Sequence, residues 1–369
     1  MVKVRFYERI VHIMEEEKLE LEIEHNVKPA DKKMTIINFA IIIAIFVGLF
    51  IYMICVDGID NILNLLAVID YSWVFAGIIC MVLFWISEAV CLHIAIRKLY
   101  PTQTFWNSFK ICMLGQLFNN ITPFSSGGQP MQAHYMYKDG KKVSDSFSIF
   151  TMKFVITQTA LVAFTLIVTV FQFDYFKSLM SNFLFLAIIG FSVNIVAIIF
   201  ILIIRMNKKL ALNILKGCCI FLGKIKVLKN VDQKIEKLTL SVNNFNNQFN
   251  FMRGQKSTVI QMFIAATIQS LLYYSITYMV YRAFGNSGVS IFNIIPAQAF
   301  LLMLMTFIPT PGSGGGAEGG FLLIFNSIFK NGTINLAILF WRIYTFYLPI
   351  IFGALFLIPF KKKEKKIGC

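Results

Sequence analysis

The sequence is poor in charge. Asp, Glu, Lys and Arg make up 14% of its 369 residues, against roughly 25% in soluble domains, while 57% are hydrophobic and the mean hydropathy is +0.70. That leaves too little polar surface to cover a globular fold in water, which excludes a soluble domain. Acid is the scarcer sign: 19 Asp and Glu stand against 34 Lys and Arg, for a net charge of +15. In a soluble protein this excess would suggest nucleic acid. Here the cations are confined to particular loops and the C-terminal tail, so no nucleic-acid surface is expected, and the distribution is that of the positive-inside rule. The cysteines Cys55, Cys80, Cys91, Cys112, Cys218, Cys219 and Cys369 show no metal-ligand pairing, and most read as small buried hydrophobes. HExxH is absent, and His93 and His134 read as interfacial or hydrogen-bonded groups, so neither a metal nor a cofactor is expected. Residues 1–35 are highly charged, without a short apolar core before a small-residue cleavage site, which excludes a cleavable signal. They read as a cytosolic amphipathic segment around Ile10 to Ile23, with Glu15-Glu16-Glu17 on a solvated face.

What the sequence does have is long apolar runs. A bilayer core of about 30 Å takes roughly 20 apolar residues per helix. Six runs qualify: Ile36 to Val56, Ser72 to Ile96, Asp145 to Phe171, Phe183 to Ile204, Thr258 to Phe284 and Thr333 to Phe360. Two further stretches, Phe105 to Ile121 and Ile291 to Ile308, stop in glycine-rich turns and are followed by short helices, Gln129 to Tyr137 and Glu318 to Phe329. Neither pair resembles two full spans.

Loop charge threads the pieces. The loop holding Asp57, Asp60 and Asp70 has no Lys or Arg and belongs outside. Arg97, Lys98 and Lys110 place the next connection inside, and Lys138, Lys141 and Lys142 place the following one inside as well. Residues 105–137 therefore enter and leave on the cytoplasmic side as a re-entrant hairpin. Asp174 and Lys177 mark a short outer loop, and the eleven Lys and Arg of residues 205–256 mark a cytosolic connection. The basic tail 361–369 can end inside only if residues 291–329 form a second hairpin entered from the outer face. The expected fold is an all-α integral membrane protein with six full spans and two oppositely oriented re-entrant hairpins. It divides into a cytosolic segment (1–35), a first membrane half (36–204), a basic cytosolic loop (205–256), a second membrane part (257–360) and a basic tail (361–369), with both termini cytoplasmic. Within the loop, Lys208, Lys209, Lys216, Lys224, Lys226 and Lys229 alternate with apolar residues. That pattern fits a helix lying on anionic lipid and equally a loop whose charge only sets topology.

The two breaks share sequence. Thr122-Pro123-Phe124-Ser125-Ser126-Gly127-Gly128 and Thr310-Pro311-Gly312-Ser313-Gly314-Gly315-Gly316, aligned without a gap, agree at five of seven positions. Shared sequence in opposite orientation is the mark of an inverted-topology repeat. Non-helical backbone at membrane depth is tolerated only where protein buries it or a watery cavity solvates it. Proline ends each incoming helix and glycine permits the turn. Each outgoing half-helix is then expected to point its N-terminal N–H groups inward as an anion site for a phosphate or carboxylate. Tight turns for close helix packing are the other reading. Ionisable residues within spans are costly and mark either function or an internal pair. Lys153 and Arg342 follow the two breaks as intramembrane cations, at a separation that nearly matches the repeat offset; Glu318 caps the second outgoing helix, and Glu88 lies in the Ser72 to Ile96 span. The candidate substrate-binding set is Thr122, Pro123, Ser125, Ser126, Gly127, Gly128, Lys153, Thr310, Pro311, Gly312, Ser313, Gly314, Glu318 and Arg342. Glu88, Gln129 and Gln132 are candidates for gating or charge balance, and no residue is assigned as catalytic.

These residues give a family resemblance. Asn119-Asn120-Ile121-Thr122-Pro123 running into Gly127-Gly128, and Pro309-Thr310-Pro311-Gly312 running through Gly314 to Glu318, look like the lysylphosphatidylglycerol synthase transmembrane region. That is the flippase-like domain of multiple peptide resistance factors and their stand-alone relatives. The resemblance covers Ile36 to Phe360, and its second motif is the more specific. In the family an acidic residue often follows the first pair of glycines, with an arginine three residues later; here Gln129 and Gln132 hold those places. Full-length members carry a cytosolic domain that transfers lysine from aminoacyl-tRNA to phosphatidylglycerol. No such domain fits here, so phosphatidylglycerol lysyltransferase chemistry is expected to be absent from this chain, with a separate cytosolic aminoacyl-phospholipid synthase as a partner. The resemblance implies movement of phosphatidylglycerol or its aminoacylated form between leaflets of the plasma membrane, with a bearing on resistance to cationic peptides.

Two other classes stay open on the residues alone. A secondary transporter for a small anion would use the same half-helix dipoles. An intramembrane enzyme would need a base beside Ser313 of Gly312-Ser313-Gly314, and His93 and His134 belong to the other half of the chain.

Overall fold

The computed structural model describes residues 58–174, 207–224, 255–305, 310–330 and 332–357, with a few single positions elsewhere. Apart from such single positions, the segment 1–35, the expected spans Ile36 to Val56 and Phe183 to Ile204, the loop beyond Lys224 and the tail lie outside the described residues. Among the described residues every regular element is helical: α1 (Ile59–Ala67), α2 (Tyr71–Leu99), α3 (Phe105–Ile121), α4 (Gly128–Lys138), α5 (Val143–Phe171), α6 (Lys208–Lys224), α7 (Lys256–Ala283), α8 (Ile291–Met305), α9 (Gly316–Phe325), α10 (Ile334–Arg342) and α11 (Leu348–Leu355). A π-helical turn, Ile343–Tyr347, joins α10 to α11 in one rod. Among the described residues four helices are long and apolar enough to cross a membrane: Tyr71–Leu99, Ser148–Phe171 within α5, Lys256–Ala283 and Ile334–Leu355. Each falls on one of the six expected spans.

Helix α1 lies where loop charge predicts only an outer loop. Nine residues are too few for a span, but Ile62, Leu65, Leu66 and Ile69 pack into the core while Ile59 and Leu63 stay exposed. Burial of one apolar face is what stabilises so short a helix.

Helices α2 and α7 form the centre, packed antiparallel. Trp73 meets Tyr278, Phe84 meets Tyr273, and the Cys91 thiol donates to the Met262 carbonyl, so residue numbers rise along one helix as they fall along the other. At one end the Asp70 amide donates to the Ala283 carbonyl, and Asp70 also caps α2 by accepting from the Ser72 amide at 2.9 Å.

The glycine-rich breaks lie between short helices that fold back on themselves. Helix α3 stops at Thr122, whose backbone is extended (φ −116, ψ 146), as the residue before a proline is constrained to be. Helix α4 then returns along α3, with the Gln132 side-chain amide donating to the Ile111 carbonyl. Both ends of this hairpin sit together, because the Tyr100 hydroxyl accepts from the Lys142 amide at 2.9 Å and donates to Asp145 at 2.6 Å. The second hairpin, α8 and α9, is closed at its base in the same way. The Lys330 amide donates to Asn286 Oδ1 and its ammonium to the Gly285 carbonyl. The first base adjoins the Leu99 end of α2; the second adjoins the opposite, Asp70 end.

Each hairpin packs on the other half of the chain, α3 against α11 and α8 against α5. Pro296 inside α8 has no N–H, so the Phe292 carbonyl four residues earlier loses its helical donor. The Gln172 side-chain amide, at the end of α5, fills that place at 2.7 Å. At the α3–α11 contact, a Cβ on Gly353 would stand 2.8 Å from the Met113 carbonyl oxygen and 2.7 Å from the Leu117 Cβ. Because one neighbour is backbone, Gly353→Val should cost about 1–3 kcal/mol by overpacking, read as a lowered Tm of the detergent-solubilised protein.

Candidate functional site

The two breaks match in conformation as well as in sequence. In each, the fourth residue's amide donates to the threonine carbonyl (Ser125 to Thr122, 3.2 Å; Ser313 to Thr310, 3.0 Å). The fifth residue's amide donates to the proline carbonyl (Ser126 to Pro123, 3.2 Å; Gly314 to Pro311, 3.1 Å). The third and fourth residues are left-handed in both, at φ 55 and 51 for Phe124 and Ser125 and φ 56 and 55 for Gly312 and Ser313. The outgoing helices start at Gly128 and Gly316, the same place in each repeat. Left-handed backbone costs a non-glycine residue roughly 1–2 kcal/mol, so Phe124, Ser125 and Ser313 store strain that the surroundings must hold. At Gly312 no side chain could take that place, since a Cβ there would stand 2.0 Å from the Phe346 ring.

The tips touch. Pro123 and Pro311 form an isolated antiparallel β-bridge, and because proline has no N–H, neighbouring amides must close it. The two repeats thus meet where their helices are broken.

Three amides at the starts of the outgoing helices are capped from within the chain, by Glu318 as its place in the sequence suggests and by Thr122 and Asn119 as well. Gly127 donates to Thr122 Oγ1 at 2.8 Å and Gly128 to Asn119 Oδ1 at 3.0 Å. Gly315 donates to Glu318 Oε2 at 2.7 Å. The Thr122 hydroxyl donates to the Phe118 carbonyl (2.6 Å), whereas the Thr310 hydroxyl donates to the Gly314 carbonyl (2.7 Å).

Both cations lie in buried ion pairs. Lys153 Nζ is 2.7 Å from Glu88 Oε1, and Gln116 donates to the other carboxylate oxygen at 2.5 Å. Arg342, only 3% exposed, donates through Nε to Glu318 Oε1 at 2.7 Å and through its terminal nitrogens to the Gly312 and Ser313 carbonyls at 3.0 and 3.4 Å. Its guanidinium also stands over the Phe346 ring. One side chain therefore grips both the tip and the cap of the second hairpin. At the repeat offset the cations match to within one residue, Lys153 aligning with Trp341 beside Arg342, whereas the carboxylates have no counterpart. Glu88 comes from α2 and Glu318 from α9, and their equivalents in the opposite repeat are Ile276 and Pro130.

Thr122, Gly127, Gly128, Thr310, Gly312, Ser313, Glu318 and Arg342 thus belong to two tip networks joined by the proline bridge. Ser125, Ser126 and Gln129 are exposed at the first tip. Gln132 is instead buried between α3 and α4, in the space that Gly115 leaves open, and holds helices together. Lys153 and Glu88 form a separate pair one helix away. Gln116 and Asn119 were not among the candidates. A polar side chain within one or two turns of a break was the available signal, because cut helix ends need local caps. Breaking a buried pair by removing one partner costs about 3–5 kcal/mol. Glu88→Gln should therefore lower the Tm markedly, and adding Lys153→Met should restore part of it.

These features define a class, a polytopic helical membrane protein whose two broken-helix hairpins meet tip to tip. The chain belongs to the family of the lysylphosphatidylglycerol synthase TM region, whose model matches residues 36–353. It is 23% identical to a UPF0104 membrane protein of Methanocaldococcus jannaschii, over 91% of this chain and 96% of that protein. It is 20% identical to a UPF0104 membrane protein of Archaeoglobus fulgidus, over 78% and 86% respectively. An uncharacterized protein of Mycoplasma genitalium matches at 21%, over 86% of this chain and 85% of its own length.

Proposed function

We propose that this chain moves a phospholipid headgroup, phosphatidylglycerol or its aminoacylated form, between the leaflets of the plasma membrane. In this reading six spans and two re-entrant hairpins form an inverted repeat with both termini cytoplasmic. The observation that carries it is the bridge between Pro123 and Pro311, which joins two matched, strained breaks. Exposed Ser125, Ser126 and Gln129 at one tip, and partly exposed Glu318 at the other, are polar groups that hydrocarbon would not solvate. A hydrated vestibule at the tips satisfies them and gives a headgroup its path, while acyl chains stay in lipid. A lipid phosphate competes there with the Glu318 carboxylate for Arg342. Repeats that part at the bridge and rock against one another would expose this site to each face in turn. Aminoacylation, where it occurs, is assigned to a separate cytosolic synthase that hands lipid to this chain, and resistance to cationic peptides would follow from the lipid moved.

The test is leaflet exchange of headgroup-labelled phosphatidylglycerol, and of its lysyl form, in proteoliposomes of the purified protein. Exchange above that of protein-free vesicles supports the proposal. Folded protein that exchanges neither lipid but takes up a small organic anion would overturn it in favour of a secondary transporter.

A further inference from the structure

Helix α6 belongs to neither hairpin. Asn207 sets its start: the Asn207 amide donates to the Ile203 carbonyl at 2.8 Å, and its side-chain oxygen accepts from the Leu210 amide at 3.0 Å. The helix carries Lys208, Lys209, Lys216 and Lys224 and no acid, so it is uniformly cationic. At 3.6 residues per turn its residues sort into three stripes. Ala211, Leu212, Leu215 and Cys219 face inward, where Ala211, Leu212 and Leu215 pack with Ile203 and Val242. Lys209, Asn213 and Lys216 form an exposed polar stripe beside them, with Ile220, exposed at 49%, at its far end. Leu210, Ile214 and Phe221 form a third stripe that is apolar yet exposed, at 47%, 39% and 64%. Two faces, one for the protein and one for water, would suffice for a cytosolic helix; the apolar exposed stripe is the third.

We infer that α6 is an anchor on the membrane surface, lying in the plane of the cytoplasmic leaflet. Leu210, Ile214 and Phe221 sit at the boundary of headgroups and acyl chains, and Lys209 and Lys216 sit on the phosphates of anionic phospholipid. Charge complementarity selects this occupant. A cationic helix with an apolar face binds in proportion to buried apolar area and to the negative charge of the leaflet, and a neutral or cationic protein surface would gain nothing from the lysines. The inference is independent of what the hairpins transport.

The experiment places a nitroxide on Phe221→Cys or on Asn213→Cys, in full-length protein whose other cysteines are replaced. Collision with oxygen and with a water-soluble nickel chelate is then read in vesicles of phosphatidylcholine alone and of phosphatidylcholine with phosphatidylglycerol. In the anionic vesicles the label at 221 should be open to oxygen and closed to nickel, and the label at 213 the reverse. Adding Lys209→Gln and Lys216→Gln, which leaves the buried stripe untouched, should shift the docking equilibrium of the 221 label toward water about 30-fold. A 221 label open to nickel in anionic vesicles would overturn the inference. So would a label shielded from both reagents whatever the lipid, which would mean a protein partner or a second copy.

Discussion

Arg342→Ala should abolish lipid exchange in proteoliposomes and lower the stability of the protein by about 3–5 kcal/mol, the usual result of leaving one member of a buried pair uncompensated. Three contacts go at once: the Glu318 carboxylate at 2.7 Å and the Gly312 and Ser313 carbonyls at the strained tip. Arg342→Lys separates the two losses. A lysine keeps the charge opposite Glu318 but lacks the planar fork that reaches both tip carbonyls. The Lys variant should therefore stay close to the parent in Tm, measured in detergent, while exchange still falls sharply. Glu318→Gln supplies the complementary case, since the amide oxygen can still cap Gly315 but no longer neutralises Arg342. If Arg342→Lys exchanges lipid as fast as the parent, gripping the tip has no part in transport and the arginine serves stability alone.

Covalent closure of the two tips should stop exchange reversibly. Residues paired across an antiparallel bridge have Cα atoms about 4.5–5.5 Å apart, within the span of about 4.4–6.8 Å that a disulfide tolerates. Pro123→Cys with Pro311→Cys, in a background without other cysteines, should form a bond on oxidation, seen as a shift in mobility on non-reducing gels. Exchange should disappear in the oxidised protein and return on reduction, with each single variant insensitive to both treatments. Crosslinked protein that still exchanges lipid would mean that the tips never separate and that the path lies elsewhere.

Local chemistry makes much of this architecture legible in the amino-acid sequence. Thr122 is extended because Pro123 follows it, and the matched turn from Thr310 to Gly314 follows from the matched residues, so both breaks lie where the Thr-Pro and glycine pattern placed them. The spans Tyr71–Leu99 and Lys256–Ala283 begin and end within a few residues of the apolar runs. Helix α1 escaped because a nine-residue amphipathic helix owes its existence to a core that the sequence does not display. The capping of the first half-helix escaped for a related reason. Asn119 reaches Gly128 across the break, a distance set by the turn rather than by any period in the chain.

By itself the sequence determined that this is a helical membrane protein and where its helices break, because hydropathy, proline and glycine act over a few residues. Only the tertiary structure decided which carboxylate meets which cation, that Glu318 holds Arg342 with the carboxylate that caps its helix, and that Pro123 lies against Pro311. Glu88 and Lys153 are 65 residues apart in sequence, Glu318 and Arg342 24 residues apart. In a low-dielectric interior a charge takes the nearest partner in space, and that proximity exists only once the helices have packed.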